Sequence, residues 1–84
     1  MAGFFTAAQA APARSWKAVT PSDTVNLAPG CRGLWVGTAG DLVLVGDDDH
    51  AETFTTANDG TFVPLGPKRV NDTSTTADNI IALY

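Results

Sequence analysis

The sequence predicts a small all-β domain, an antiparallel β-sandwich or barrel of jelly-roll type with about seven or eight strands. Thr and Val become frequent after residue 13, and Gly, Asp, Asn or Pro recurs every few residues, which is typical of short strands joined by tight turns. No helix of normal length is predicted after residue 13. The chain has 84 residues, which is enough for one domain with a thin core.

The chain before this β-rich part has a different composition. Residues 1–13 are rich in Ala and contain Phe4 and Phe5. About a dozen residues form only a marginal helix on their own, so the segment is either a frayed tail or an arm that docks on another surface. It lacks the basic start of a secretory signal and is too short to span a bilayer. We therefore divide the chain into an N-terminal arm or tail, 1–13, and a single β-domain, 14–84.

Turn-forming residues separate the predicted strands. The predicted strands are 15–20, 24–27, 32–37, 41–46, 51–56, 61–65, 68–71 and 79–84. Pro21–Asp23 and Pro29-Gly30 are turn formers, and residues 71–78 form a polar loop. Gly37–Gly40 separates two apolar runs at hairpin distance, and Asn58–Gly60 carries the Asp-Gly pair favoured in tight hairpins. Both are predicted to be hairpin turns.

Three predicted strands are apolar on both faces. In 41–46 the two Leu side chains oppose the two Val side chains, and 32–37 and 79–84 show similar patterns. One thin core covers only one face, so the other sheet of a barrel or another subunit is expected to cover the second. The predicted oligomer or partner contacts are Trp35, Leu42, Val43, Leu44, Val45, Ile80, Ile81, Leu83 and Tyr84.

Charge and cysteine content exclude several kinds of protein. Five basic residues against nine acidic ones give a net charge of −4, and the basic residues are scattered, which argues against binding to nucleic acid. Cys31 is the only cysteine, so no disulfide within the chain is possible, as suits a reducing cytoplasm. A small domain without such cross-links often gains stability from neighbouring copies, and we expect a homo-oligomer.

Candidate chemical sites have simpler structural explanations. Asp47–His50 could bind a cation, but it lacks the EF-hand spacing and a second histidine, so a solvated hairpin tip is favoured. Cys31 is better explained as a buried thiol than as a nucleophile activated by His50. Trp16, Trp35 and Tyr84 could stack on sugar rings, although aromatic residues on strands are more often core or interface anchors. We assign no catalytic, cofactor or metal residue and expect no enzyme activity.

A resemblance to a known family adds to this interpretation. Residues Ala18–Asp23 and Arg32–Asp41, then Lys68–Val70 and Ile80–Tyr84, resemble in this order the head spike base proteins of tailed phages and gene transfer agents, such as that of the Rhodobacter gene transfer agent. The resemblance covers roughly residues 16–84. It carries no catalytic motif, and residues 1–13 and the Asp47–His50 cluster fall outside its pattern.

The resemblance implies a virion structural protein. Such a protein is assembled in the bacterial cytoplasm, oligomerises at the capsid vertex and anchors a spike or fibre for attachment to the host surface. The implied partners are further copies of the chain, with a pentamer favoured, the major capsid protein and the spike or fibre protein. The arm with Phe4 and Phe5 is then a candidate capsid anchor. The alternatives are a carbohydrate-binding module that contacts host glycans directly and a capsid decoration protein.

Overall fold

The structure, a computed structural model, describes residues 12–84 as seven strands in two antiparallel sheets. The strands are β1 (Trp16–Ala18), β2 (Gly33–Thr38), β3 (Asp41–Val45), β4 (Ala51–Thr55), β5 (Thr61–Val63), β6 (Arg69–Asn71) and β7 (Asp78–Leu83). The four-stranded sheet has the order β1-β7-β2-β5 and the three-stranded sheet the order β4-β3-β6. The predicted all-β fold class is confirmed. The predicted contacts of Phe4 and Phe5 lie outside the described residues.

The core lies between the two sheets. Alternate side chains of each strand point to the same face, so Leu34 and Val36 of β2 pack with Ile80 of β7 and with Leu42 and Leu44 of β3. These five side chains are at most 3% exposed. Burying each contributes about 1.5–3 kcal/mol. Partly buried residues, Val19, Leu27, Cys31 and Tyr84, pack around this cluster.

One predicted strand, 24–27, does not form. The hydroxyl of Ser22 accepts hydrogen bonds from the backbone N–H groups of Thr24 and Val25, at 3.2 and 3.1 Å, which bends the chain there. The backbone N–H of Leu27 then donates to the carbonyl of Lys68 at 2.8 Å. Hydrogen bonds to the Ser22 side chain therefore take the place of regular β-sheet hydrogen bonds in residues 24–27, although this segment still runs beside β6.

The prediction of two hairpins from glycine-containing turns is wrong, because neither hairpin forms. Gly37–Gly40 joins β2 to β3, and Asn58–Gly60 lies between β4 and β5, but each of these strand pairs is divided between the two sheets. The two connections bind each other: the Ala39 N–H donates to Asp59 Oδ1 at 2.7 Å, and the Thr56 hydroxyl donates to the Gly40 carbonyl at 3.0 Å. Turn chemistry indicated where the chain changes direction, while the strand partners were decided by contacts distant in sequence.

The segment after β1 shows which edges of the two sheets lie together. The Val19 N–H donates to the Ile80 carbonyl of β7 at 2.8 Å, and the Ser22 N–H donates to the Val70 carbonyl of β6 at 2.9 Å. The chain thus crosses from the β1 edge of one sheet to the β6 edge of the other. The opposite side of the domain carries β5 and β4, so β1 and β4 lie on opposite sides. Residues 12–84 contain no helix long and apolar enough to cross a membrane.

Candidate assembly surfaces

The solvent side of the four-stranded sheet carries an apolar surface, which we call the outer aromatic face. Its members are Trp16, Trp35, Phe62, Ile81 and Leu83. Strand register brings them together, since Trp35 lies opposite both Phe62 and Ile81, and Leu83 lies opposite Trp16. Because neighbouring strands are about 4.8 Å apart, these residues extend about 14 Å across the sheet.

The aromatic side chains of this face are open to solvent. Trp16 is 65% exposed, Phe62 53% and Trp35 42%. Each such side chain carries 150–250 Å² of surface, so the three rings together expose on the order of 400 Å². The largest apolar patch on a typical monomer is of this size and is often a functional surface.

One glycine allows a ring of this face to lie directly on the sheet. A Cβ atom at Gly33 would lie 2.7 Å from Phe62 Cε1, so the phenyl ring covers the bare backbone of β2. The Trp35 ring lies beside Gly60, where a Cβ would be in ordinary van der Waals contact with it and where the positive φ of 71° favours glycine. Rings supported in this way lose less conformational freedom on binding than rings that extend freely into solvent. The sequence pattern does not single out Phe62, because its position on this face depends on pairing between β2 and β5.

A second surface is a groove beside β4, which we call the β4 groove. Its volume is about 290 Å³. Leu44, Phe54, Leu65 and Pro67 form its apolar lining, with Asp48, His50 and Glu52 among the remaining lining residues. Phe54 lies opposite Leu42 on the core side of its sheet, yet it is 39% exposed, so the four-stranded sheet covers this end of the core incompletely.

Two polar residues of the groove, Asp48 and His50, come from the predicted Asp47–His50 hairpin tip, and Glu52 follows on β4. The Gly46 N–H donates to the His50 carbonyl at 3.0 Å, which closes a turn between β3 and β4. His50 Nε2 lies 2.7 Å from Glu52 Oε2, and this hydrogen bond, followed by the charge of Glu52, raises the pKa of His50 above its usual 6.5. Lys68 forms an ion pair with Asp49. Among residues 12–84, no three His, Cys, Asp or Glu side chains come together as a metal site.

The predicted contact residues fall into two groups, those buried in the core and those near the surface. Leu42, Leu44, Val45 and Ile80 are at most 3% exposed, so their side chains are buried within the monomer and are not available to a partner. The domain's own packing covers these four side chains, so their prediction as subunit contacts is carried only by the neighbouring surface residues. Val43 is partly buried.

The remaining contact candidates lie nearer the surface. Trp35, Ile81 and Leu83 belong to the outer aromatic face, the last two partly buried. Tyr84 is also partly buried, and its hydroxyl donates to the Ala28 carbonyl at 3.0 Å. The predicted second apolar face therefore persists on β2 and β7.

Cys31 is a partly buried thiol that donates to the Gly33 carbonyl, with Sγ 3.3 Å from the oxygen. It lines a cavity of about 460 Å³ together with Asp47 and Lys68, whereas His50 is absent from that lining and belongs to the β4 groove. The structure therefore does not bring together the cysteine and histidine that nucleophilic catalysis would need.

Comparison with known proteins finds similarity to a solved structure. No family model matches the chain, and no curated protein matches it. The chain is 34% identical to a chain in a solved structure of the capsid of a native gene transfer agent (GTA) particle, computed with C5 symmetry. The match covers 99% of this chain and 95% of the other, with a TM-score of 0.82. At this identity over the whole length, the protein belongs to the same family as that GTA capsid chain.

Proposed function

We propose that the protein is a structural component of a virion or GTA particle, a head spike base at the capsid vertex. The observation that carries this proposal is the full-length similarity to a chain of a GTA capsid. The resemblance of four segments to head spike base proteins supports the finer assignment. In this role the protein binds and positions other components and catalyses no reaction.

The outer aromatic face is the surface that we assign to assembly. Its exposed rings supply on the order of 400 Å², about half of the roughly 800 Å² that each partner buries in a typical specific contact. Tryptophan is enriched among the residues that dominate binding energy, and this face exposes two. With flanking residues of β1, β7 and β5, the face is large enough to be one side of a stable interface.

A ring of five copies suits a capsid vertex. The related capsid was computed with C5 symmetry, and contacts between unlike surfaces of successive copies close into a ring when the rotation permits. The ring would contact the major capsid protein on one side and hold a spike or fibre on the other. The segment 1–13, with Phe4 and Phe5, would anchor the ring to the capsid, and assembly would take place in the bacterial cytoplasm.

Cryo-electron microscopy of purified particles, with and without the gene, tests the proposal. We expect density at the five-fold vertices that is lost with the gene and is restored by the wild-type chain. Density over the capsid faces would instead indicate a decoration protein, and particles without this chain would contradict a virion role. A Phe62→Ser variant should restore the density poorly, while Val25→Ser, at a more exposed apolar side chain outside the outer aromatic face, should restore it fully.

A second candidate function, direct binding of host glycans, is favoured by the exposure of Trp16 and Trp35. Flat aromatic rings on a sheet surface can stack on the apolar faces of sugars. A glycan array with the isolated protein tests this role. Binding that disappears in both Trp16→Ala and Trp35→Ala would support it, and absence of binding to any glycan would contradict it.

A further inference from the structure

We propose that the β4 groove of one copy receives Trp16 and the β1 edge of the next copy, so that the protein assembles head to tail. This inference rests on the oligomer in the proposed function and names the two surfaces that meet. The occupant of the groove is a second copy of this chain. Three independent features of the described residues support it: edge position, charge and shape.

The first feature is the position of the two edge strands. All three residues of β1 and all five of β4 are exposed, and each strand has a sheet partner on one side only. Unpaired strand edges readily pair with another chain unless they are covered. The strands β1 and β4 lie on opposite sides of the domain. When the β1 edge of one copy joins the β4 groove of a second copy, the groove of the first copy and the β1 edge of the second copy therefore stay free. Each added copy can therefore bind another.

The second feature is opposite charge on the two sides. Residues 12–22 contain Arg14 and Lys17 and no acidic residue. Residues 46–52 contain Asp47, Asp48, Asp49 and Glu52, and His50 is their only basic group. The acidic groups that line the groove are Asp48 and Glu52, of which Glu52 also pairs with His50, while Asp49 lies outside the lining and pairs with Lys68. Complementary charges of this kind orient the two surfaces. They also disfavour pairing of two β1 edges or of two β4 grooves, in which like charges would meet.

The third feature is the fit between an indole ring and the groove. Trp16 is 65% exposed, the most open aromatic side chain of the outer aromatic face. The groove volume of about 290 Å³ is roughly twice the 150 Å³ of an apolar cavity that binds benzene. Its lining is mainly apolar, and the Glu52 carboxylate can accept a hydrogen bond from the indole N–H, which needs a partner when buried.

The chain contains one competing occupant, the aromatic pair Phe4 and Phe5. Residues 1–11 carry no charged side chain, so docking this segment in the groove would bring no positive side chain to Asp48 and Glu52. The β1 edge supplies both an aromatic ring and two cations. Charge complementarity therefore favours Trp16.

Mixing two variants of the full chain tests head-to-tail assembly. The edge variant, Trp16→Ser, keeps an intact groove, and the groove variant, Glu52→Lys with Leu65→Ser, keeps an intact β1 edge. Native mass spectrometry should show a closed oligomer for the wild type, monomers for each variant alone and one-to-one heterodimers in the equimolar mixture. We expect each variant to weaken self-association at least about 30-fold. Thermal unfolding of each variant verifies that it is folded.

Two further chains serve as controls. Val25→Ser and a deletion of residues 2–11 should both retain the closed oligomer. If the deletion abolishes it while Trp16→Ser does not, the groove holds the N-terminal segment and the inference is wrong. A mixture that stays monomeric, or a wild type that is itself monomeric, also overturns it.

The same preparation separates this inference from the proposed function. Proteomics of purified particles shows whether the chain is a virion component. Heterodimers formed by a chain that is missing from particles would leave the head-to-tail contact correct and the proposed function wrong. If the chain is present in particles but its two variants do not form heterodimers, the proposed function is correct and the head-to-tail contact is wrong.

Discussion

Asp23 accepts a hydrogen bond from the backbone N–H of Thr73 at 3.0 Å, across 50 positions of sequence. The same carboxylate accepts the Asp72 N–H at 2.9 Å and the Thr73 hydroxyl. These bonds join the segment that precedes β2 to the polar loop that precedes β7. The hydroxyl bond of Thr73, with the backbone bonds, lowers the pKa of Asp23 below 3.8.

We predict that Asp23→Asn destabilises the fold in a pH-dependent manner. A carboxylate whose pKa is lower in the folded state stabilises the fold above its unfolded pKa, and this contribution is lost as the pH falls through the folded pKa. Thermal unfolding should therefore separate Asp23→Asn from wild type at neutral pH and bring the two together in strong acid. Asp47→Asn, at an exposed position in the β3–β4 turn, is the matched control. An equal gap at all pH values would contradict the role of the charge.

The His50–Glu52 pair gives an opposite pH dependence. Because the folded pKa of His50 is raised, its contribution to stability is fully present below its unfolded pKa and is lost as the pH rises through the folded pKa. NMR titration should give His50 a pKa above 6.5 in the wild type and a value closer to 6.5 in Glu52→Gln. An unchanged pKa in Glu52→Gln would show that another group causes the shift.

Core and surface apolar residues should differ sharply in their effect on stability. Leu34 is fully buried, so Leu34→Ala should cost about 2–5 kcal/mol of unfolding free energy. Trp16→Ser should change it by no more than about 0.5 kcal/mol, because the ring is mostly in solvent. Urea unfolding measures both values. A large loss with Trp16→Ser would mean that the ring supports the fold and would weaken its assignment to assembly.

Backbone crowding at Gly66 predicts that a larger side chain there destabilises the fold. A Cβ there would lie 2.2 Å from the Cys31 carbonyl oxygen, whereas the nearest atom at Gly33 belongs to the Phe62 ring, which can rotate away. Gly66→Ala should therefore cost about 1–3 kcal/mol, and Gly33→Ala less. Calorimetry of the two variants tests the order, and equal melting temperatures would contradict it.

Deletion of residues 2–12 tests the proposed anchoring role of Phe4 and Phe5. The β-domain should keep its circular dichroism spectrum and its oligomeric state, since the core and the described side chains that pack against it begin at Val19. Co-sedimentation with capsids should weaken. Phe4→Ser with Phe5→Ser should reproduce the loss, and unchanged co-sedimentation of both chains would exclude the segment as an anchor.

Apolar residues on both faces of a strand predict assembly, and the structure treats the second face differently on different strands. On β3, Val45 is 1% exposed although it lies on the face opposite Leu44, so the monomer buries that second face in part. On β2 and β7, the second face remains open at Trp35 and its neighbours. A Val45→Asp substitution would therefore disrupt the fold itself and cannot report on a subunit contact.

The sequence by itself determined the all-β class, seven of the strands and the positions of the turns, because these follow from side-chain alternation and from local Gly, Pro and Asp chemistry. Only the tertiary structure decided that β2 and β3 belong to different sheets, that Phe62 lies on Gly33 and that Phe54 opens onto a groove. These features depend on pairing between strands far apart in the chain. Such pairing is set by how the two sheets together bury the most apolar surface, which no local pattern specifies.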